Sequence, residues 1–259
     1  MNTRNPIFAD WRVRQALIEA FNWQFINNTL SGGKDQRITS YFANSDLGMK
    51  PGAPAEGREL ALLESFAADL PPGTIEGYAL PEGTDQPLDR AALKRAMKLL
   101  QDAGWTVRDG QLVNADGQPF RFEILLNLSG SAITTAAEMR QMSEIYAQAL
   151  RNLGITPVIT LLDSAQYTQR TNTYAFDMTW FDRALSLSPG NEQLLYWGAK
   201  GVTEPGTRNL MGMNSPAAEA ITRAKAVAAG LDVTFDSAGT GAWHLGEPPY
   251  APMIEAARA

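Results

Sequence analysis

One stretch, residues 119–183, limits what the chain can fold into more than any other. Phe120, Phe122, Ile124 and Leu126 alternate with Arg121 and Glu123, while Leu125 breaks the polar side, so this segment reads as a largely buried strand. Thr135 and Glu138 have the spacing of a capping box. Met142, Ile145, Ala149, Leu150 and Leu153 then recur at helical intervals until Gly154 supplies a left-handed stop. Residues 155–162 are β-branched and apolar, Asp163 or Ser164 caps a short helix through Tyr167 and Arg170, and residues 176–181 are apolar again. The order is β-α-β-α-β. A crossover helix between strands favours parallel pairing with right-handed connections, so the pattern predicts three parallel strands in one sheet covered by helices, an α/β fold.

The flanks carry their own signals. Asp10 is placed to cap a helix whose stripe is Val13, Ala16 or Leu17, Ala20 and Phe21, and a second helix is expected over residues 23–30, stopped by Gly32 and Gly33. Residues 31–58 read as a long irregular excursion, 59–70 as helical, and the Pro- and Gly-rich 71–87 as the best internal linker. Asp89 starts a helix through Leu93, Ala96, Met97 and Leu100 to Gly104, and Asp109-Gly110 has the chemistry of a hairpin turn within 105–114. Beyond Arg183 loops dominate, until Ser215 opens an alanine-rich helix and residues 231–235 offer a strand.

Charge and composition remove several function classes. Among 259 residues, 22 Lys and Arg face 28 Asp and Glu with no basic cluster, which argues against a nucleic-acid partner. There is no Cys and a single His, His244, so a disulfide, a thiolate nucleophile and a multi-histidine metal site are all excluded. Apolar runs fall short of a bilayer span and the first residues show no charged-then-apolar leader, so the chain as written is expected to be neither membrane-inserted nor exported. No phosphate-loop Lys-Ser/Thr pattern and no Gly-x-Ser-x-Gly elbow appears. Binding without catalysis, cofactor or metal is the expectation.

Several stretches carry a resemblance. NPIFADWRVRQALIEAFNWQFINNTL, SYFANSDLG, LSLSPGNEQLLYWG and PGTRNLMG together resemble the C-terminal half of family 5 peptide-type extracellular solute-binding proteins, receptors of ABC importers, in the branch linked to uptake of microcin-type peptides. The likeness covers about residues 2–214 and implies a truncated periplasmic-binding-protein type II-like lobe, an oligopeptide ligand, a membrane permease partner and a periplasmic location, although a chain without a leader would stay in the cytoplasm. It divides the chain into a partial lobe or hinge region (1–87), an α/β ligand-binding lobe (88–183) and a loop-rich return (184–214). Residues 215–259, with AGLDVTFDSAGTGAWHLGEPP, resemble the segment after the phosphate loop of low-molecular-weight protein tyrosine phosphatases. NLMGMN stands where that family has its Cys and Arg, so a phosphatase relic or a non-functional fusion is the alternative reading.

The candidate ligand residues are Trp180, Asp182, Arg183, Tyr41, Phe42, Asn44, Tyr196 and Trp197. Asp182 and Arg183 follow an apolar strand, at the carboxyl edge where open α/β sheets bind ligands. In peptide-binding relatives a Trp is followed three positions later by an amine-binding Asp, whereas here Asp182 lies two positions after Trp180 and the third is Arg183. Tyr41, Phe42, Asn44, Tyr196 and Trp197 are candidates for aromatic and polar cleft walls, against the plainer reading of buried loop anchors. Glu192 with Arg208 reads as a surface ion pair, and His244 as structural.

Overall fold

The computed structural model describes residues 1–39, 50–182, 195–196, 198–215 and 217. Asp10 accepts the Arg12 N–H and starts helix α1, Trp11–Glu19, and Asn22 accepts the Phe25 N–H at the start of α2, Trp23–Leu30. Helix α3 covers Gly57–Glu64, so the helical spacing of 59–70 is realised only in part, with turns following Glu64. Asp89 accepts the Ala92 N–H and caps α4, Arg90–Asp102. Strands β1, Thr106–Arg108, and β2, Gln111–Val113, form a hairpin whose turn residues Asp109 and Gly110 have φ of 50° and 77°, the left-handed geometry that an Asp-Gly turn supplies.

The central unit follows: β3, Arg121–Asn127; α5, Ala136–Arg151; β4, Thr156–Leu162; α6, Ser164–Asn172; and β5, Met178–Thr179. The sheet order is β4-β3-β5 and both pairings are parallel, as the β-α-β-α-β pattern predicts. Thr135 and Glu138 complete a reciprocal capping box at the start of α5, and Asp163 accepts two backbone N–H groups of α6. From the central strand one crossover leads outward to β4 and the other back past it to β5, so right-handed connections place α5 and α6 on opposite faces of the sheet. Adjacent residues of β5 and its end register this directly: Trp180 Nε1 donates to Ser143 of α5, while Thr179 Oγ1 lies 2.9 Å from the Tyr167 hydroxyl of α6.

One apolar core joins the early helices to the sheet. Phe122, Ile124 and Leu126 on one face of β3 meet Leu17 of α1, Ala96 and Leu100 of α4 and Leu150 of α5, all at most 2 % exposed. Phe8 packs edge-on to Phe122 with ring centroids 5.4 Å apart. Burial of each such large side chain is worth about 1.5–3 kcal/mol, so this cluster is the main source of stability.

Strand β5 is shorter than the apolar run 176–181 predicts. At its start, Asp177 Oδ2 accepts the Glu123 N–H at 2.8 Å, so a carboxylate takes the place of a ladder carbonyl. At its end the Trp180 carbonyl accepts the Tyr167 hydroxyl at 2.7 Å. Side chains thus satisfy the backbone on both sides of a two-residue ladder.

The segment 71–87 packs against α1 and α2. The Tyr78 hydroxyl donates to Gln15 at 3.0 Å, the Thr84 N–H donates to Asn22 Oδ1 at 3.0 Å, and Asn22 Nδ2 donates to the Gln86 carbonyl at 2.9 Å. Gly83 permits this approach, because a Cβ there would lie 2.3 Å from Asn22 Oδ1 and 3.0 Å from the Gln24 nitrogen.

A second tie joins the first residues to a one-turn helix, Lys200–Thr203, and the segment after it. Arg4 donates through Nε to the Val202 carbonyl, through Nη1 to Asn2 Oδ1 and the Leu210 carbonyl, and through Nη2 to the carbonyls of Gly201 and Asn209. Its guanidinium also stacks 3.7 Å from the Tyr174 ring centroid. All five donors are used, and burial lowers the guanidinium pKa from its ordinary value. The expected tail elements over 218–259 lie outside the described residues. Among the described residues no helix is long and apolar enough to cross a membrane.

Candidate functional site

The carboxyl ends of the three strands meet along one edge. Asn127 closes β3 and accepts the Ser129 N–H, and the Ser164 hydroxyl lies 3.1 Å from Asn127 Oδ1 and 2.8 Å from Ser129 Oγ. Asp163 is committed to capping α6. These groups satisfy one another.

Asp182, just past β5, does not. Its Oδ2 is buried without a hydrogen-bond partner, which no other side-chain nitrogen or oxygen among the described residues is. Burial raises its carboxyl pKa from its ordinary value, and its charge in turn pushes the Tyr167 phenol up, after the larger effect of that phenol's own burial. An unpaired buried acceptor costs about 1–3 kcal/mol, and none of the described residues supplies this atom with a donor.

The neighbouring residues are held firmly. Trp180 is fixed by its 2.9 Å bond to Ser143, itself 2 % exposed, and Thr179 donates to the Leu125 carbonyl at 2.8 Å. Phe181, about half exposed, sets its ring edge-on to Tyr196 with centroids 6.3 Å apart. Tyr196 is buried with Ala199, Met211 and Met213 around it, and Arg208 Nη1 donates to its hydroxyl at 3.1 Å. Phe181 thus links the segment after β5 to Tyr196, while the Trp180 side chain is turned to α5. Arg183, Tyr41, Phe42, Asn44 and Trp197 lie outside the described residues, as do Glu192 and His244.

Behind Trp180 lies a cavity of about 300 Å³ between α1, the sheet and α5. Leu17, Ile18 and Phe21 form one wall, Ile124 and Tyr146 another, and Arg37 and Leu80 stand at the side. The Tyr146 hydroxyl is spent on the Leu17 carbonyl at 2.9 Å. Sequence reasoning missed this cavity and Arg37. The stripe of α1 is visible in the sequence, but nothing local shows that residue 37 returns beside it.

Comparison with known proteins adds a family. The model for bacterial extracellular solute-binding proteins, family 5 Middle, matches residues 1–204. A putative binding protein of Brucella suis biovar 1 is 38% identical over 224 residues, which are 86% of this chain and 35% of that protein. The probable peptide-binding protein YejA of Agrobacterium fabrum is 37% identical over 224 residues with the same coverage. The chain thus spans about a third of the length of the curated relatives it matches. Among solved structures, the oligopeptide-binding protein AppA of Bacillus subtilis with a nonapeptide aligns with a TM-score of 0.60 at 19% identity, over 87% of this chain and 37% of that one. An oligopeptide-binding protein of Thermus thermophilus with a pentapeptide gives 0.53 at 18% identity, over 85% and 33%. At these identities the structural likeness speaks for the fold: a truncated α/β lobe of the periplasmic oligopeptide-binding type.

Proposed function

This chain belongs to the family 5 bacterial extracellular solute-binding proteins, and we propose that it is the part of a peptide-importer receptor that receives the amino end of an oligopeptide. The observation that carries this reading is Asp182, a carboxylate past a strand's carboxyl end with one buried oxygen lacking a donor. A peptide ammonium supplies both the donor and the opposite charge. The name of a relative 37% identical, a probable peptide-binding protein, favours a peptide, whereas solved structures of the same fold hold peptides, metal chelates and an oligosaccharide alike. Trp180 then walls the site, and Arg183, Tyr41, Phe42, Asn44, Tyr196 and Trp197 remain the further peptide-facing set of this proposal.

The activity is recognition without bond-making. In the longer receptor, closure of a second lobe over the peptide expels water, and the loaded form docks on a membrane permease at the periplasmic face. In this division, residues 88–183 carry the ligand and 1–87 the approach to the other lobe. A single lobe offers only part of the main-chain bonding, while the peptide still loses translational freedom and orders its chain. Affinity of this chain alone is therefore expected near about 1 mM, or roughly −4 kcal/mol.

Calorimetry with trialanine and N-acetyl-trialanine tests the reading. Asp182→Asn should weaken the free-amine peptide about tenfold and leave the acetylated one unchanged. Equal loss for both peptides, or none, excludes Asp182 as the amine partner, and submicromolar binding by this chain would show the second lobe to be dispensable.

A further inference from the structure

The cavity behind Trp180 holds a charge that the peptide-amine reading does not use. Its walls are apolar apart from Met1, whose amine pKa burial lowers to about 6, and the polar side chains in them are spent: Ser143 on Trp180, Tyr146 on the Leu17 carbonyl, Thr179 on the Leu125 carbonyl. Arg37 differs. It is half-buried, Nη1 donates to the Pro81 carbonyl, and neither Nε nor Nη2 has an acceptor among the described residues. No carboxylate of the described residues lies within ion-pair distance of it. Burial lowers its guanidinium pKa from its ordinary value, as it does for Arg4, but Arg4 is repaid with five acceptors.

We infer that this cavity is a binding site for an apolar group ending in a carboxylate, with Arg37 as the ionic partner. A guanidinium with unused donors beside an apolar wall is complementary to an anion attached to an apolar body, and the fork of Nε and Nη2 suits a carboxylate held through both oxygens. Size selects further. At about 300 Å³ the space is at the small end of small-molecule sites and takes one large side chain or a short aromatic or branched acid, not a folded-over peptide. Two sources carry this chemistry: a free carboxylic acid, or the C-terminal residue of a peptide. The inference deepens the peptide-receptor reading and rests on it only for the second source.

The test uses the full chain, with 3-phenylpropionate, its amide, the tripeptide Ala-Ala-Phe and its C-terminal amide as calorimetric probes. The acid should bind at about millimolar levels or tighter and its amide about tenfold more weakly. Arg37→Gln should reduce acid binding about tenfold and leave the amide unchanged, whereas Ile18→Trp, which fills the cavity from α1, should abolish both. The thermal transition of each variant reports whether it folds, and the Ile18 variant keeps the idea testable if the Arg37 variant fails. No binding of the acid up to about 10 mM, equal affinity for acid and amide, or an acid indifferent to Arg37→Gln overturns the inference. Asp182→Asn separates the two readings, because the free acid has no amine. Arg37-dependent acid binding without Asp182-sensitive peptide binding leaves this site standing and the amine site refuted. Asp182-sensitive peptide binding that ignores Arg37 does the reverse.

Discussion

At Asp182 one carboxylate oxygen is shielded from water without a compensating donor, and the group's affinity for a proton rises in the folded state. The folded pKa then exceeds the unfolded value of about 3.9. Above the folded pKa this residue weakens the fold; as pH falls through that value the folded state takes up the proton first, and the penalty is gone below the unfolded pKa. Asp182→Asn should therefore raise stability at pH 7 and make no difference at about pH 3.5, as urea unfolding of both proteins at the two pH values would show. Gly83 gives a steric prediction. A methyl group there meets Asn22 Oδ1, which is held by the Thr84 N–H, and the Gln24 backbone, so Gly83→Ala should cost about 1–3 kcal/mol in the same assay. The sequence marks neither residue for these reasons. It places Asp182 at a strand end and Gly83 in a Pro/Gly-rich run, but desolvation and close approach arise from chain segments far away in sequence.

Among the elements, the helix ends are the most legible. Asp10, Asp89, Thr135 with Glu138, and Asp163 all cap in the structure, and Gly154 has a φ of 77° after α5, because each of these devices is complete within four residues of chain. Strand β5 is less legible, since its ends are set by Asp177 reaching Glu123 and by Tyr167 reaching Trp180, neither of which leaves a local pattern. The packing of α1 on α4 has its signal in small residues, Ala16 and Ala20 on one side and Ala92 and Ala96 on the other, all at most 3 % exposed. Such residues let two helix backbones come close. Ala96→Leu should force them apart and lower stability by about 1–3 kcal/mol, read as a drop in unfolding midpoint at unchanged slope.

At the scale of the whole molecule, the sheet order makes β3 the one strand of its sheet among the described residues that is paired on both sides. Its amides should exchange most slowly, those of β4 next, and those of β5 fastest, because two ladder residues give little protection. Equal rates in all three strands would show that the sheet opens as a unit. The parallel order follows from the alternation of helix and strand patterns, whereas the tie at Arg4 and Asn2 does not, its partners lying some two hundred residues on.

That tie governs how the polypeptide is threaded. Thr3 and Arg4 touch residues 201–212, so the chain passes one point in space, makes its whole excursion through helices and sheet, and comes back to the same point. A unit arranged this way is a cassette with a single doorway. It can be lifted out of one long polypeptide and set into another by two cuts lying side by side, with nothing else rerouted. Grafts between relatives with breakpoints beside residues 3 and 212 should fold, and grafts broken at 100, inside α4, should not.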